Sequence, residues 1–209
     1  MITIVDYGVG NLGSIRNMLN YLGVPNNLAR SPADIELAER LLLPGVGSFD
    51  FGMAKLHESK LTEMLHRRVT QDKAPILGIC LGMQIMCRSS AEGNLPGLGW
   101  FNADVLQFEV KNMNVKRPIP HMGWNEVEVR AEHPVLHGLP QNSRFYFVHS
   151  YHVVCHDPKD ELLRAEYGYP FTAAMAQENR LAVQFHPEKS HKFGMTLLKN
   201  FAKWVYVQT

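Results

Sequence analysis

Among the side chains able to act as nucleophiles, Cys80 stands apart because glycines flank it on both sides, in Gly78-Ile79-Cys80-Leu81-Gly82. The run from Pro75 to Cys80 reads as a buried strand, and the residues from Gly82 to about Arg88 as a helix. A residue at such a strand-to-helix turn sits on strained backbone, and small residues two positions to either side make room for it. The backbone N–H of Leu81 then points above the sulfur as half of an oxyanion hole. The start of a helix beside the sulfur also favours negative charge on it. The bland alternative is a core cysteine at a tight turn, the commoner role for a lone cysteine. The paired glycines and the strand-to-helix position favour the nucleophile. Cys87, seven residues on along the same expected helix, and Cys155, in a strand-like run, lack the elbow and read as core.

A thiol nucleophile needs a base that takes its proton and hands one to the leaving group. Ten histidines are available, so histidine alone says little. His186 differs because it ends the apolar run Leu181-Ala-Val-Gln-Phe185 and is followed by Pro187 and Glu188. Open α/β sheets place their sites at the carboxyl ends of strands. Glu188 can reach back from two residues on, orient the imidazole and stabilise its cation. A surface turn with a chance His and Glu is the competing account.

Such a site needs a scaffold to hold it. Ile2 to Val5 is a short apolar run that reads as a buried parallel strand. Leu12, Ile15, Leu19 and Leu22 recur at helical spacing before Gly23. Arg40 to Leu43 is a second buried strand, broken by Pro44-Gly45-Val46-Gly47, and Phe49 to about Gln71 is helical in two pieces. This alternation predicts an open, mostly parallel α/β sheet. Beyond Gly99, strand-like runs at 99–110, 126–130, 145–148, 151–154, 162–167, 171–176 and 181–185 predict an antiparallel or mixed extension of it. A closing helix from about Lys192 to Val205 sets Phe193, Leu197, Leu198, Phe201 and Val205 on one side. No linker marks a boundary, so residues 1–209 are expected to form one domain, with Lys111 to Pro120 as the candidate mobile or inserted loop.

Composition narrows the partners. The 209 residues carry 21 basic and 20 acidic side chains, a net charge of +1, which sets up no field to gather nucleic acid or anionic lipid. The local cluster of Lys189, His191 and Lys192 reads as a solvated helix start. Three cysteines, an odd number without zinc spacing, argue for a reducing compartment. The first apolar run is too short for a signal peptide, and no stretch is long enough to span a membrane, so a cytosolic location is expected. His149 and His152 are three apart in strand-like runs, are expected to face opposite sides, and suggest no metal site. No G-x-x-x-x-G-K phosphate loop occurs, which argues against ATP handling.

Gly78-Ile-Cys-Leu-Gly-Met-Gln84 and, about a hundred residues later, Gln184-Phe-His-Pro-Glu188 together resemble the two signatures of the class I (triad) glutamine amidotransferases. Asp6-Tyr-Gly-Val-Gly-Asn11, Pro44-Gly-Val-Gly47, Pro120-His-Met-Gly-Trp-Asn125, Tyr146-Phe-Val-His-Ser-Tyr151 and Gln184 to Ser190 are similar to the glutaminase subunits of imidazole glycerol phosphate synthases within that family. The resemblance spans nearly the whole chain. It implies a flavodoxin-like three-layer fold and no cofactor or metal.

The resemblance also implies roles. Cys80 attacks the side-chain amide of glutamine to form a glutamyl thioester, His186 protonates the departing ammonia and then activates water, and Glu188 orients His186. The oxyanion is held by the N–H of Leu81 and by the Pro44–Gly47 turn, through Val46 with Gly47 beside it. The turn's glycines let its peptides reorient, so half of the hole is expected to be unformed in the lone chain. Gln84, Glu92, His149, Ser150 and Tyr151 are expected to line the glutamine pocket. Alone, Gln84 reads as a solvated helix residue and His149 as a strand histidine. The implied partner is a (β/α)8-barrel cyclase subunit in a heterodimer, which receives the ammonia for histidine biosynthesis. Asn11, Trp124 and Tyr146 are expected to face it, although Trp124 also reads as core.

Three other readings stay open on the sequence. Paralogous glutaminases feed ammonia to a sugar amidotransferase that makes amidino sugars for surface polysaccharides, and Arg117-Pro-Ile-Pro120, Cys155 and Lys189 to Gly194 fit them as well. A cysteine hydrolase or stress protein of the flavodoxin-like group would share the elbow, but it would need neither Gln84 nor Glu188. A non-catalytic binding module would not need Cys80, His186 and Glu188 together.

Overall fold

The structure, a computed structural model, describes residues 1–207. Its strands are β1 (Ile2–Val5), β2 (Asn26–Ala29), β3 (Leu41–Leu43), β4 (Ile76–Ile79), β5 (Ser89–Ser90), β6 (Ala103–Gln107) and β7 (His121–Glu126). They continue with β8 (Glu128–Val129), β9 (Arg144–His149), β10 (Tyr151–Cys155), β11 (Glu161–Glu166), β12 (Pro170–Gln177) and β13 (Arg180–Val183). The helices are α1 (Leu12–Tyr21), α2 (Pro32–Glu36), α3 (Phe49–Glu58), α4 (Thr62–Thr70), α5 (Leu81–Ile85) and α6 (His191–Lys203).

The main sheet runs β2-β1-β3-β4-β13-β12-β10-β6-β5. From β2 to β13 every pairing is parallel. From β13 through β12 and β10 to β6 the pairings are antiparallel, as are those of β11 with β12 and β8. The central runs ITIV, LLL and ILGI are buried throughout because both faces of the sheet are covered. Period-2 alternation splits their side chains between two cores. Ile2, Ile4, Leu42, Leu77 and Ile79 pack with Ile15 and Leu19 of α1 and with Leu197, Leu198 and Phe201 of α6. Leu41, Leu43 and Ile76 pack on the other face with Ile35, Phe49, Leu56, Leu65 and Leu81 from α2 to α5. The result is an open three-layer α/β architecture.

Several local expectations are corrected. The strand at Asn26–Ala29 has no apolar run, and only its backbone pairing at the sheet edge makes it a strand. Helix α5 stops at Ile85, short of Arg88, so Cys87 lies beyond the helix, fully buried, with Sγ 3.6 Å from the Met83 carbonyl. The expected strand at 126–130 is split: β7 begins at His121 and forms a separate two-stranded sheet with β9, while Glu128–Val129 pairs with β11. His149 and His152 do not face opposite sides. The chain bends at Ser150 between β9 and β10, the alternation restarts, and both rings pack on Phe108 at 5.3 and 4.6 Å. No helix among the described residues is long and apolar enough to cross a membrane.

Candidate active site

Cys80 sits between β4 and α5 with φ 55° and ψ −112°, left-handed backbone that a side chain rarely adopts. Such a conformation costs on the order of 1–3 kcal/mol and persists only where the surroundings enforce it. Here the Cys80 N–H donates to Val183 O at 2.8 Å, and its carbonyl accepts from Met83 and Gln84 at 3.0 and 3.2 Å. The two glycines are steric necessities. A Cβ on Gly82 would lie 1.9 Å from Leu43 O, and one on Gly78 would lie 2.5 Å from the Met86 sulfur and 2.9 Å from Gly82 O. The elbow therefore closes only if strand β3, strand β4 and helix α5 can touch backbone to backbone.

Sheet register brings the base to the nucleophile. Strands β4 and β13 are parallel neighbours with Val183 opposite Ile79, so Cys80 and the segment after Val183 leave the sheet side by side. Gln184 Nε2 donates toward Cys80 Sγ at 3.8 Å. His186 is 2 % exposed, and its Nδ1 meets Glu188 Oε1 at 2.8 Å. The Nε2 of His186 has no hydrogen-bond partner among the described residues, nor does Glu188 Oε2. Burial opposes charge on this imidazole, but the neighbouring Cys80 and the hydrogen-bonded Glu188 carboxylate outweigh it and raise its pKa to about 9. Cys80 thus influences Nε2 without a formed hydrogen bond, the loose geometry common in catalytic sites before substrate arrives. The turn is strapped from behind: Ser190 Oγ donates to His186 O at 2.7 Å and accepts from the Tyr146 N–H at 3.0 Å.

The raised pKa makes a stability prediction. The unfolded histidine titrates near 6.5 and the folded one near 9, so its contribution is complete below the lower value and lost as pH rises through the upper. Over that window the loss is up to about 3 kcal/mol. Glu188→Gln keeps an acceptor but removes the charge, so its stability should fall less between pH 7 and 10 than that of the wild type. Urea unfolding at each pH measures the difference; parallel curves would show that the Glu188 charge does not hold the His186 proton.

A cavity of about 350 Å³ opens on Cys80 and His186. The Val46 and Gly47 turn, Leu81, Gln84, Glu92, His149, Ser150 and Tyr151 line it, and so do Pro120 and Val148. Larger hollows lie along α4 and beside β8, but neither contains Cys80 or His186. Glu188 stays behind His186, outside the cavity wall. Gln84 is buried rather than solvated, because its Nε2 donates to Tyr151 O at 3.2 Å and to Gln184 Oε1 at 3.0 Å. Glu92 Oε2 accepts the Phe49 N–H at 2.8 Å, supplying the cap that Ser48 does not give α3. The N–H groups of Leu81 and Val46 donate to no protein acceptor among the described residues.

Tyr7 was missed by sequence reasoning. Its buried hydroxyl donates to Pro44 O at 2.7 Å and anchors the first peptide of the Pro44–Gly47 turn. Burial, and secondarily the neighbouring Cys80, push the Tyr7 phenol upward. The only sequence signal was its place in the Asp6–Asn11 motif.

The expected interface residues lie outside the cavity. Asn11 caps α1, accepting from the Ser14 N–H at 3.2 Å, and is exposed. Trp124 is 46 % exposed, which rules out a core role; it stacks on His191 at 5.5 Å and meets Tyr146 edge-on at 6.3 Å. Lys189 Nζ sits 5.7 Å above the Tyr146 ring. The Tyr146 backbone also accepts from the His186 N–H at 2.9 Å, so this aromatic face is bonded to the His186 turn.

The family model of class-I glutamine amidotransferases matches residues 3–204. Imidazole glycerol phosphate synthase subunit HisH 2 of Pseudomonas aeruginosa is 51% identical over 98% of this chain and 100% of its own length. A protein of the same name from Methanococcus maripaludis is also 51% identical, over 97% of this chain and 99% of its own. In fold, the chain is similar to a crystal structure of a glutamine amidotransferase, with a TM-score of 0.75 at 20% identity and 97% of each chain covered. PurLQS from Thermotoga maritima superposes with a TM-score of 0.71 at 17% identity, again covering 97% of both chains. With a family match across almost its full length and relatives near half identity, this chain belongs to the class-I glutamine amidotransferases.

Proposed function

We propose that the chain is the glutaminase subunit of an imidazole glycerol phosphate synthase, hydrolysing glutamine and passing the ammonia to a cyclase partner for histidine biosynthesis. The carrying observation is the single cavity that joins Cys80 and His186 to Gln84, Glu92 and the His149–Tyr151 wall, in a chain half identical to subunits of that synthase. Cys80 yields its proton to His186 Nε2, Sγ attacks the amide carbon, a C–S bond forms, and the carbonyl electrons move to oxygen beneath the Leu81 and Val46 N–H groups. The tetrahedral adduct collapses, the C–N bond breaks, and His186 gives the leaving nitrogen its proton. Water, deprotonated by His186, then cleaves the thioester to glutamate and restores the thiol. Glu188 fixes the imidazole with Nδ1 protonated, so that Nε2 faces the reaction.

Ammonia released into water would be lost as ammonium, so the subunit is expected to work docked on the (β/α)8-barrel cyclase. Trp124, Tyr146 and Asn11 form the proposed docking face, and the exposed Trp124 against the half-buried Tyr146 is a suitable anchor. Affinity purification of the tagged chain from its own cells tests the acceptor. Recovery of a barrel cyclase and cyclase-dependent glutaminase activity are expected. Recovery of an ATP-dependent sugar amidotransferase without the cyclase would overturn the histidine assignment and keep the glutaminase chemistry.

A further inference from the structure

His121 opens β7 directly opposite His149 of β9, is 3 % exposed, and does not line the cavity. Its ring is held between Phe147 and Tyr167, stacked at 4.8 and 4.1 Å, with Phe171 edge-on at 5.6 Å. It is one link in a chain of four polar contacts, two of them its own. Asn125 Nδ2 lies 3.3 Å from His121 Nε2, His121 Nδ1 lies 2.9 Å from His149 Nε2, and His149 Nδ1 lies 2.8 Å from Tyr151 O. The Tyr151 carbonyl also accepts from Gln84.

One protonation pattern satisfies every member. Tyr151 O can only accept, so His149 carries its proton on Nδ1. Burial, chiefly, keeps His149 neutral, with a pKa near 3, so its Nε2 must accept. His121 must then donate from Nδ1. Burial, helped by Arg117, takes its pKa down to about 4, so its Nε2 accepts from the Asn125 amide. The Asn125 orientation is set independently, because Nδ2 donates to Glu166 O at 2.8 Å and Oδ1 accepts from the Glu126 N–H at 2.9 Å.

We infer that His121 is a positioning residue for the glutamine pocket: as an Nδ1–H donor it fixes the tautomer of His149 and thereby the Tyr151 carbonyl that holds Gln84. This rests on the reading of the cavity as the glutamine site. Deleting the donor leaves a buried acceptor unpaired on His149, which re-tautomerises or turns, and the wall at 149–151 loosens.

His121→Phe preserves the stacked ring and removes the donor. In the complex with its cyclase it should raise KM for glutamine about tenfold, the scale of one unpaired buried group, and leave kcat within about twofold. His121→Asn, whose amide can occupy the Nδ1 position, should recover most of the KM. Nitrogen-15 spectra of histidine-labelled wild type should show both His121 and His149 protonated at Nδ1. An unchanged KM in His121→Phe, no rescue by His121→Asn, or an Nε2–H tautomer at either residue would overturn the inference. The spectra decide it even where a variant fails to fold. A wild type that hydrolyses no glutamine would instead sink the reading of the cavity.

Discussion

Cys80→Ala should abolish glutamine-dependent synthesis by the complex and leave ammonia-dependent synthesis intact. The loss should be at least about a thousandfold in kcat, the scale seen when a covalent nucleophile is removed. Alanine cannot form the C–S bond, so no thioester accumulates and His186 has no leaving group to protonate. The backbone already carries the cost of φ 55° with a cysteine in place, and alanine bears a similar one, so the fold should persist. Only the chemistry upstream of ammonia is removed, and ammonia added from solution bypasses it. The paired assay separates nucleophile from scaffold: loss of both activities would indicate damaged docking, and retained glutaminase activity would show that the nucleophile lies elsewhere. Cys87 could not substitute for it, because that sulfur is fully buried, its thiol is pushed well up by burial, and it lies off the cavity.

Gly82→Ala should cost about 3 kcal/mol or more of stability, at the upper end of overpacking effects, and should also eliminate glutaminase activity. The added methyl would meet Leu43 O at 1.9 Å and the Leu43 carbonyl carbon at 3.0 Å. That obstacle is backbone at the end of β3, immediately before the Pro44–Gly47 turn. It cannot yield by a rotamer change, so either α5 retracts or the turn moves, and each displaces a proposed oxyanion donor. Gly13→Ala is the matched control. It lies in α1 with nothing within 4 Å of its Cβ position, and alanine there should be neutral or stabilise by about 0.5–1 kcal/mol. Denaturant midpoints for both variants, with glutaminase assays alongside, give the comparison. A Gly82→Ala protein as stable and active as the wild type would mean the elbow does not require contact with β3.

The amino-acid sequence by itself determined the parts of this site that are local. Gly78 and Gly82 around Cys80 mark a strained strand-to-helix turn because only absent side chains let the backbones meet there. The His186–Glu188 spacing lies within one short turn, so the carboxylate reaches the imidazole whatever surrounds it. The buried runs ITIV, LLL and ILGI carry their own burial pattern and with it the parallel half of the sheet. Tertiary structure alone decided the rest. The pairing of β4 with β13 sets Cys80 beside the His186 segment across about a hundred residues, and no local pattern encodes that register. The edge strand at Asn26–Ala29 exists only through pairing with β1, and the bend at Ser150 puts His149 and His152 against one ring. Gln84 looks solvated until its two acceptors arrive from β10 and from Gln184. Tyr7 on Pro44 and His121 on His149 are contacts between distant segments, and so is the tautomer each histidine must hold. A hydrogen bond is a statement about where two groups end up, and for these groups only the packed sheet says where that is.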